Sequence, residues 1–193
     1  MIINETHYLL ASTRFTNQTY LQNKKWKEQN NFNGSIYGCK KRISENVSIK
    51  RDIFVCEMNN DTNQITGIGL IKNYIHRDNK YNIYNDRNYN RFVYKSINRA
   101  DRNRIDSEVV AVIEQVLFKG AQHFKRSIGI TIFNHKLLGR KINTEFEKVQ
   151  CDEEGYKCGH CGELKKGHSC NAIMFSQEQY DFVIRHLIEL FII

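Results

Sequence analysis

Proline is missing altogether from the 193 residues, and tryptophan occurs once, as Trp26. The first absence excludes the zinc-dependent nucleobase deaminases, whose His-x-Glu is followed by Pro-Cys-x-x-Cys, and His160 here precedes Cys161-Gly162. With abundant Asn, Lys and Ile it also suits an AT-rich coding genome, which bears on origin and not on chemistry. Long apolar runs are lacking too. The longest, 182–193, is broken by Arg185, His186 and Glu189 and is too short to span a bilayer. Its apolar stripe has no basic opposite face for a membrane surface, so no membrane partner is expected. The start, Met1-Ile2-Ile3-Asn4-Glu5, shows no basic region, apolar core and small-residue cleavage site. The expectation is an intracellular protein of cytoplasm or nucleus, whose six cysteines are thiols or metal ligands rather than disulfides.

Motifs for common chemistries are also absent. Gly67-Ile68-Gly69 lacks the third glycine and the Lys-Ser/Thr of a phosphate loop. Glu57 and Asp61 flank a turn, where polar residues serve as turn formers. Ser12, His7 and Asp52 make a catalytic triad only on paper.

Positive charge is what the chain has in excess. Residues 1–148 hold 25 Lys and Arg against 14 Asp and Glu, a net +11, whereas residues 149–193 hold 4 against 7, a net −3. The basic residues cluster in Lys24-Lys25-Trp26-Lys27, in Lys40-Lys41-Arg42, across 87–104 and in Lys125-Arg126. A surface of this kind attracts a phosphate backbone, and its aromatics (Trp26, Tyr89, Phe92, Tyr94, Phe124) add the means to stack on bases. Arg87, Arg91 and His123 complete the candidate nucleic-acid contacts. The loop 120–127 gathers His123, Lys125, Arg126 and Ser127 between a helix and a strand, as a phosphate clamp would. The alternative is a charged surface that only keeps the protein soluble.

Periodicity divides the chain into strands followed by helices. His7-Tyr8-Leu9-Leu10-Ala11 reads as a strand, and Asn17 as the cap of a helix carrying Tyr20, Leu21 and Trp26. Residues 53–58 and 65–71 read as a hairpin across the polar turn 59–63, with Gly67 and Gly69 marking a bulge, a bend or another backbone lying close. A second hairpin is expected from 81–84 to 91–94. Val109, Val112, Ile113, Val116 and Leu117 share one helical face, capped by Asp106 or Ser107. A strand is expected over 128–133 and an acidic connector over 146–155. The last helix starts near Gln177, with Ser176 and Gln179 at capping-box spacing and a stripe of Val183, Leu187, Ile188 and Phe191.

Near the carboxyl end lies the array with the most specific spacing. Cys158, Cys161, His168 and Cys170 form C-x2-C-x6-H-x-C, three thiolates and one imidazole, the donor set of a closed tetrahedral structural zinc site. Gly159, Gly162 and Gly167 let the backbone aim its N–H groups at the sulfurs. His160 and Cys151 are alternatives for one of the four positions. A redox C-x-x-C would leave His168-Ser169-Cys170 without a purpose.

This segment resembles the short C-G-x-C-G-x-x-K-K-G-H-x-C zinc knuckles of eukaryotic and viral proteins, and the resemblance implies structural zinc with nucleic acid or protein as partner. Leu10-Ala11-Ser12-Thr13 at a strand end, then Asn23 on a helix, then Ile65-Thr66-Gly67-Ile68-Gly69-Leu70, resemble the start of a YTH or EVE domain of the PUA-like superfamily. That resemblance implies a curved, mainly antiparallel pseudo-barrel reading single-stranded or modified nucleotides. The composition is similar to that of proteins of large DNA viruses, which implies the cytoplasm or nucleus of an infected cell.

The sequence therefore supports an α+β protein with two parts, a basic PUA-like domain over 1–148 and a zinc knuckle with a docking helix over 149–193. The function expected is non-catalytic binding of RNA or DNA. Two alternatives are a zinc-stabilised adaptor or viral assembly factor that binds protein through its acidic C-terminal segment, and an enzyme whose active site is dispersed.

Overall fold

The computed structural model describes residues 7–49, 51–119, 123–133, 140–143, 149–150, 169–170, 172–175 and 177–192. Strand β1 (Tyr8–Phe15) is followed by helix α1 (Asn17–Gln29) and then β2 (Ser35–Cys39), β3 (Asp52–Asn59), β4 (Gln64–Lys72), β5 (Phe92–Ser96) and β6 (Arg99–Asp101). Helix α2 (Ser107–Phe118), β7 (Thr131–Ile132), β8 (Arg140–Asn143), β9 (Val149–Gln150), β10 (Ser169–Cys170), β11 (Ala172–Phe175) and helix α3 (Gln177–Ile192) complete the order.

Five strands form the main sheet in the order β6-β4-β3-β1-β7, and only β1 and β3 run parallel. Strands covered on both faces carry nearly continuous apolar runs instead of alternation. Ile53-Phe54-Val55-Cys56 in β3 is such a run, fully buried. Its alternate residues feed two cores. Phe54, Cys56 and Met58 join Leu10, Ile68 and Leu70 against α2 (Val109, Ile113, Val116, Leu117) and α3 (Val183, Ile184, Leu187, Ile188). Ile53, Val55 and Ala11 face the opposite way, towards Ile36, Tyr37, Tyr94, Tyr81 and Tyr84, with Trp26 of α1 packed at the margin. The second face is covered by the antiparallel pair β2–β5.

The molecule is thus α+β with a mixed, mostly antiparallel sheet, and the described strands do not close into a barrel. The last helix lies in the first core beside α2. No helix among the described residues is long and apolar enough to cross a membrane.

Three local expectations need correction. The cap of α1 is Thr16, one residue earlier than Asn17, because Thr16 and Thr19 form a reciprocal capping box. Residues 81–84 form no strand; Asn90 takes the place of a partner strand, its Oδ1 accepting from the N–H of Ile83 and of Tyr84 while its Nδ2 donates to the Tyr84 carbonyl. The freed strand β5 pairs with β2, more than fifty residues earlier. Of 128–133, only Thr131–Ile132 extends a sheet, beside Ser12 and Ala11.

Gly67 and Gly69 mark close approach. A Cβ on Gly69 would stand 2.2 Å from the Tyr37 hydroxyl, and one on Gly67 2.6 Å from the Ala100 carbonyl. They make room for a buried polar network at a bulge in β3 between Cys56 and Met58. Glu57, 4% exposed, takes a two-point bond from Arg99 (Nε to Oε1 3.0 Å, Nη2 to Oε2 2.8 Å) and a third from the Tyr37 hydroxyl at 3.0 Å. Arg99 Nη1 also bonds Asp101, holding that carboxyl below the usual range. Glu57 is therefore no turn former, whereas Asp61 lies in the β3–β4 turn, its N–H donating to Asn59 Oδ1 at 3.0 Å.

Candidate functional site

A cleft of about 290 Å³ opens where β1 ends, α1 begins and β2 leaves the second core. Thr13, Arg14 and Phe15 form one wall and Thr16 and Thr19 another; Gly38 and Lys40 of β2 and its exit, with Tyr84 and Tyr89, close the third side. Asn60, Ile128 and Gly129 complete it from the turn after β3 and from the loop before β7.

Each wall is tied down by bonds that follow from residue type. Asn23, the one buried polar residue of α1, donates to the Ile36 carbonyl at 2.7 Å and to the Tyr84 hydroxyl at 3.2 Å. Gln22 accepts from the Asn85 N–H at 3.2 Å, so the segment carrying both tyrosines is fastened to the helix. Burial pushes the Tyr84 phenol well up, which keeps it neutral. Tyr89 lies edge-on to Tyr84 at 5.9 Å, and the Lys40 ammonium sits 4.2 Å above the Tyr89 ring while pairing with Asp86 at 3.1 Å. The Asn88 N–H, followed by Lys40, holds the Asp86 carboxyl below its ordinary range.

On the other side, two side chains seize one carbonyl. Arg14 Nη1 donates to the Lys125 oxygen at 2.6 Å and Asn60 Nδ2 donates to it at 2.9 Å. The basic turn Phe124–Arg126 is thereby anchored at the cleft rim, with Phe124 buried in the first core. Asn60 Oδ1 is buried without a partner among the described residues, as are His123 Nδ1 and Ser127 Oγ at the two ends of that turn. Unpartnered buried polar atoms are rare in folded proteins, and three of them border this turn.

The candidate residues divide by location. Tyr89 lines the cleft, Arg87 stands exposed on the same 3₁₀ turn (Arg87–Asn90), and Lys125 and Arg126 belong to the anchored rim. Lys24 and Lys25 are exposed further along α1, and Lys24 pairs with Glu28. Trp26 packs edge-on to Phe32 at 6.2 Å and beside Tyr81 at 6.0 Å. Arg91 is exposed, while Phe92 lies under the Arg42 guanidinium at 5.2 Å. Tyr94 does not fit a stacking role. It is 0% exposed and its hydroxyl accepts from the Ile43 N–H at 3.0 Å, because pairing of Tyr37 with Tyr94 turns both rings into the core.

Arg14, Lys40, Asn60 and Tyr84 were not singled out by sequence. The signal available for them was Lys40 in a basic run and Arg14 at a strand end followed by a capped helix. The paper triad does not assemble: His7 meets Asp52 at 3.2 Å, but Tyr8 is opposite Asp52 whereas Ser12 is opposite Cys56, about 13 Å along the strand.

Cys158, Cys161 and His168, with the alternatives Cys151 and His160, lie outside the described residues, and Cys170 lies on β10. Among the described residues no group of three or more His, Cys, Asp and Glu is placed to hold a metal. Strands β9 and β10 pair Gln150 with Ser169 and Val149 with Cys170. Compared with protein-family models, with curated proteins and with solved structures, the chain matches none.

Proposed function

We propose that this protein binds single-stranded nucleic acid, seating a nucleotide in the cleft between β1, α1 and the Tyr84–Tyr89 segment. The observation that carries the reading is the convergence of Tyr89, Lys40, Arg14 and Asn60 on one cavity, from four separate stretches of chain. A cavity near 290 Å³ is at the small end of ligand sites, which run to roughly 300–1,000 Å³, and so suits one base with its sugar. Arg14, Lys40, Lys125 and Arg126 hold phosphates, Tyr89 stacks, and Asn60 positions the Lys125 turn by its bond to that residue's carbonyl. A PUA-like origin is supported by the helix that starts at Asn17, just after the strand carrying Ser12-Thr13, and by the buried Asn23, and a modified base is among the ligands this cleft suits.

A structural zinc ion, held by Cys158, Cys161, His168 and Cys170, belongs to the same reading. The donor set supports it, as does the pairing of β9 with β10, which carries Cys170. Zinc there staples a segment with little core of its own, and the acidic surroundings leave the gripping of phosphate to the basic body.

Fluorescence anisotropy with labelled single-stranded RNA and DNA tests the reading. Tyr89→Ala weakens binding about 5- to 100-fold, the value of one stacked base, whereas Tyr89→Phe stays near wild type. Equal affinity for the wild type and Tyr89→Ala, with the variant folded, overturns it.

A further inference from the structure

Two further depressions lie on the β2–β5 side. The first, about 460 Å³, carries Arg42, Arg77, Tyr74 and Ile49, with Glu45 as its one acid among the described residues. It adjoins the cleft through Lys40-Lys41-Arg42, since Lys40 lines the cleft and Arg42, at most about 7 Å of chain away, lines the depression. The second, about 330 Å³, carries Lys72, Lys95, His76 and Asp52 and shares Tyr74 with the first.

Tyr74 therefore stands between a hollow that carries two arginines and one that carries two carboxylate-paired lysines. The residue is 56% exposed, and His76 meets its ring edge-on at 5.1 Å. The backbone beneath is fixed: Asn73 Nδ2 donates to the Val47 carbonyl at 2.6 Å and the His76 N–H to the Val93 carbonyl at 2.8 Å. An exposed aromatic ring on a pinned segment is a stacking platform. Among the described residues neither Arg42 nor Arg77 has a carboxylate partner. Lys72 and Lys95 pair with Asp52 and Asp78 at 2.8 and 3.4 Å, exposed contacts worth little, which a phosphate can replace.

From this alternation of cation, aromatic and cation we infer that the cleft is the first station of a track. Resting on the nucleic-acid reading above, the track holds a single strand of several nucleotides from Tyr89 past Lys41 and Arg42 to Tyr74, with flanking phosphates on Arg77 and on Lys72 and Lys95. A duplex keeps its base faces stacked inside and cannot use Tyr74 in this way.

Anisotropy titrations with labelled oligo-U and oligo-dT of two, four, eight and twelve nucleotides separate the stations. Affinity rises with length to about eight nucleotides, inside the range of roughly 4–16 known for single-strand grooves. Tyr74→Ala and the double variant Arg42→Ala/Arg77→Ala each lose about tenfold or more on the eight-mer and leave the dinucleotide unchanged, because those residues lie beyond the cleft. Tyr89→Ala weakens both. An affinity that stops rising at two nucleotides, or eight-mer binding unchanged in Tyr74→Ala, overturns the track while leaving the cleft standing. Absence of binding at every length overturns both. Tyr74 and Arg42 are exposed, so circular dichroism of the variants matches wild type.

Discussion

Arg99→Met removes the cation that neutralises Glu57 inside the protein. The Arg99 side chain is 8% exposed and gives Glu57 two bonds at 2.8 and 3.0 Å, so truncation leaves a carboxylate at the β3 bulge with only Tyr37 and Thr66 as donors. Breaking a buried ion pair on one side costs about 3–5 kcal/mol. For a chain of this size that lowers the melting temperature by roughly 6–20 °C, at ~2–4 °C per kcal/mol. In urea it moves the midpoint by about 1–3 M for a slope near 2 kcal/mol/M. The triple variant Tyr37→Phe/Glu57→Leu/Arg99→Met removes the whole network, and a buried pair replaced by apolar groups is neutral or stabilising by ~1–4 kcal/mol. It should therefore recover most of the loss, since no buried polar atom of the trio remains. Urea titration followed by tryptophan fluorescence, using the single Trp26, measures both. A single variant losing less than about 1 kcal/mol, the level of an exposed pair, would refute the account of Glu57 as an enclosed, neutralised charge.

Two other predictions concern pH and metal. Partial burial, and next the charge of Lys95, hold His76 below 6.5, while Asp78 at 3.7 Å acts in the opposite direction. The unfolded chain therefore takes up this proton first as pH falls through 6.5, and the fold loses stability from there down to the lowered value. Urea midpoints between pH 7.5 and 5 should fall less steeply in His76→Gln than in wild type, and equal slopes would show that His76 is not the group concerned. For the knuckle, metal analysis of purified protein should give one zinc per chain, and Cys161→Ser should lose both the zinc and the protease resistance of 151–168. Full-length protein that is free of metal and equally resistant would remove zinc from the account.

The parts legible from the sequence were those governed by local chemistry. Asp106 and the 109–117 stripe mark α2, and the polar run 59–63 marks the β3–β4 turn. What escaped depended on distant pairing. Nothing near Ser35–Cys39 announces that its partner is Phe92–Ser96, and without that register Tyr94 passes for a surface aromatic. Asn90 mimics a strand by side-chain bonds, so the apolar alternation of 81–84 misleads. Glu57 inside an apolar run was the one visible sign of the buried network, and two glycines in β4 were its imprint. In the cleft, Tyr89 and the Lys125 turn were readable as basic and aromatic clusters. Arg14 and Asn60 were not, because their role arises from gripping a carbonyl more than sixty residues away.

The central claim, a basic body that grips a single strand through its phosphates, is tested most directly by the salt dependence of binding. Each neutralised phosphate of a single strand contributes about −0.7 to the slope of log affinity against log salt. With Arg14, Lys40, Lys125 and Arg126 of the cleft and Arg42 and Arg77 of the track engaged, an eight-mer should show a slope of about −4, and Lys125→Glu/Arg126→Glu should make binding weaker and the slope shallower, about −3. A slope near zero, or binding indifferent to those charge reversals, would contradict the claim.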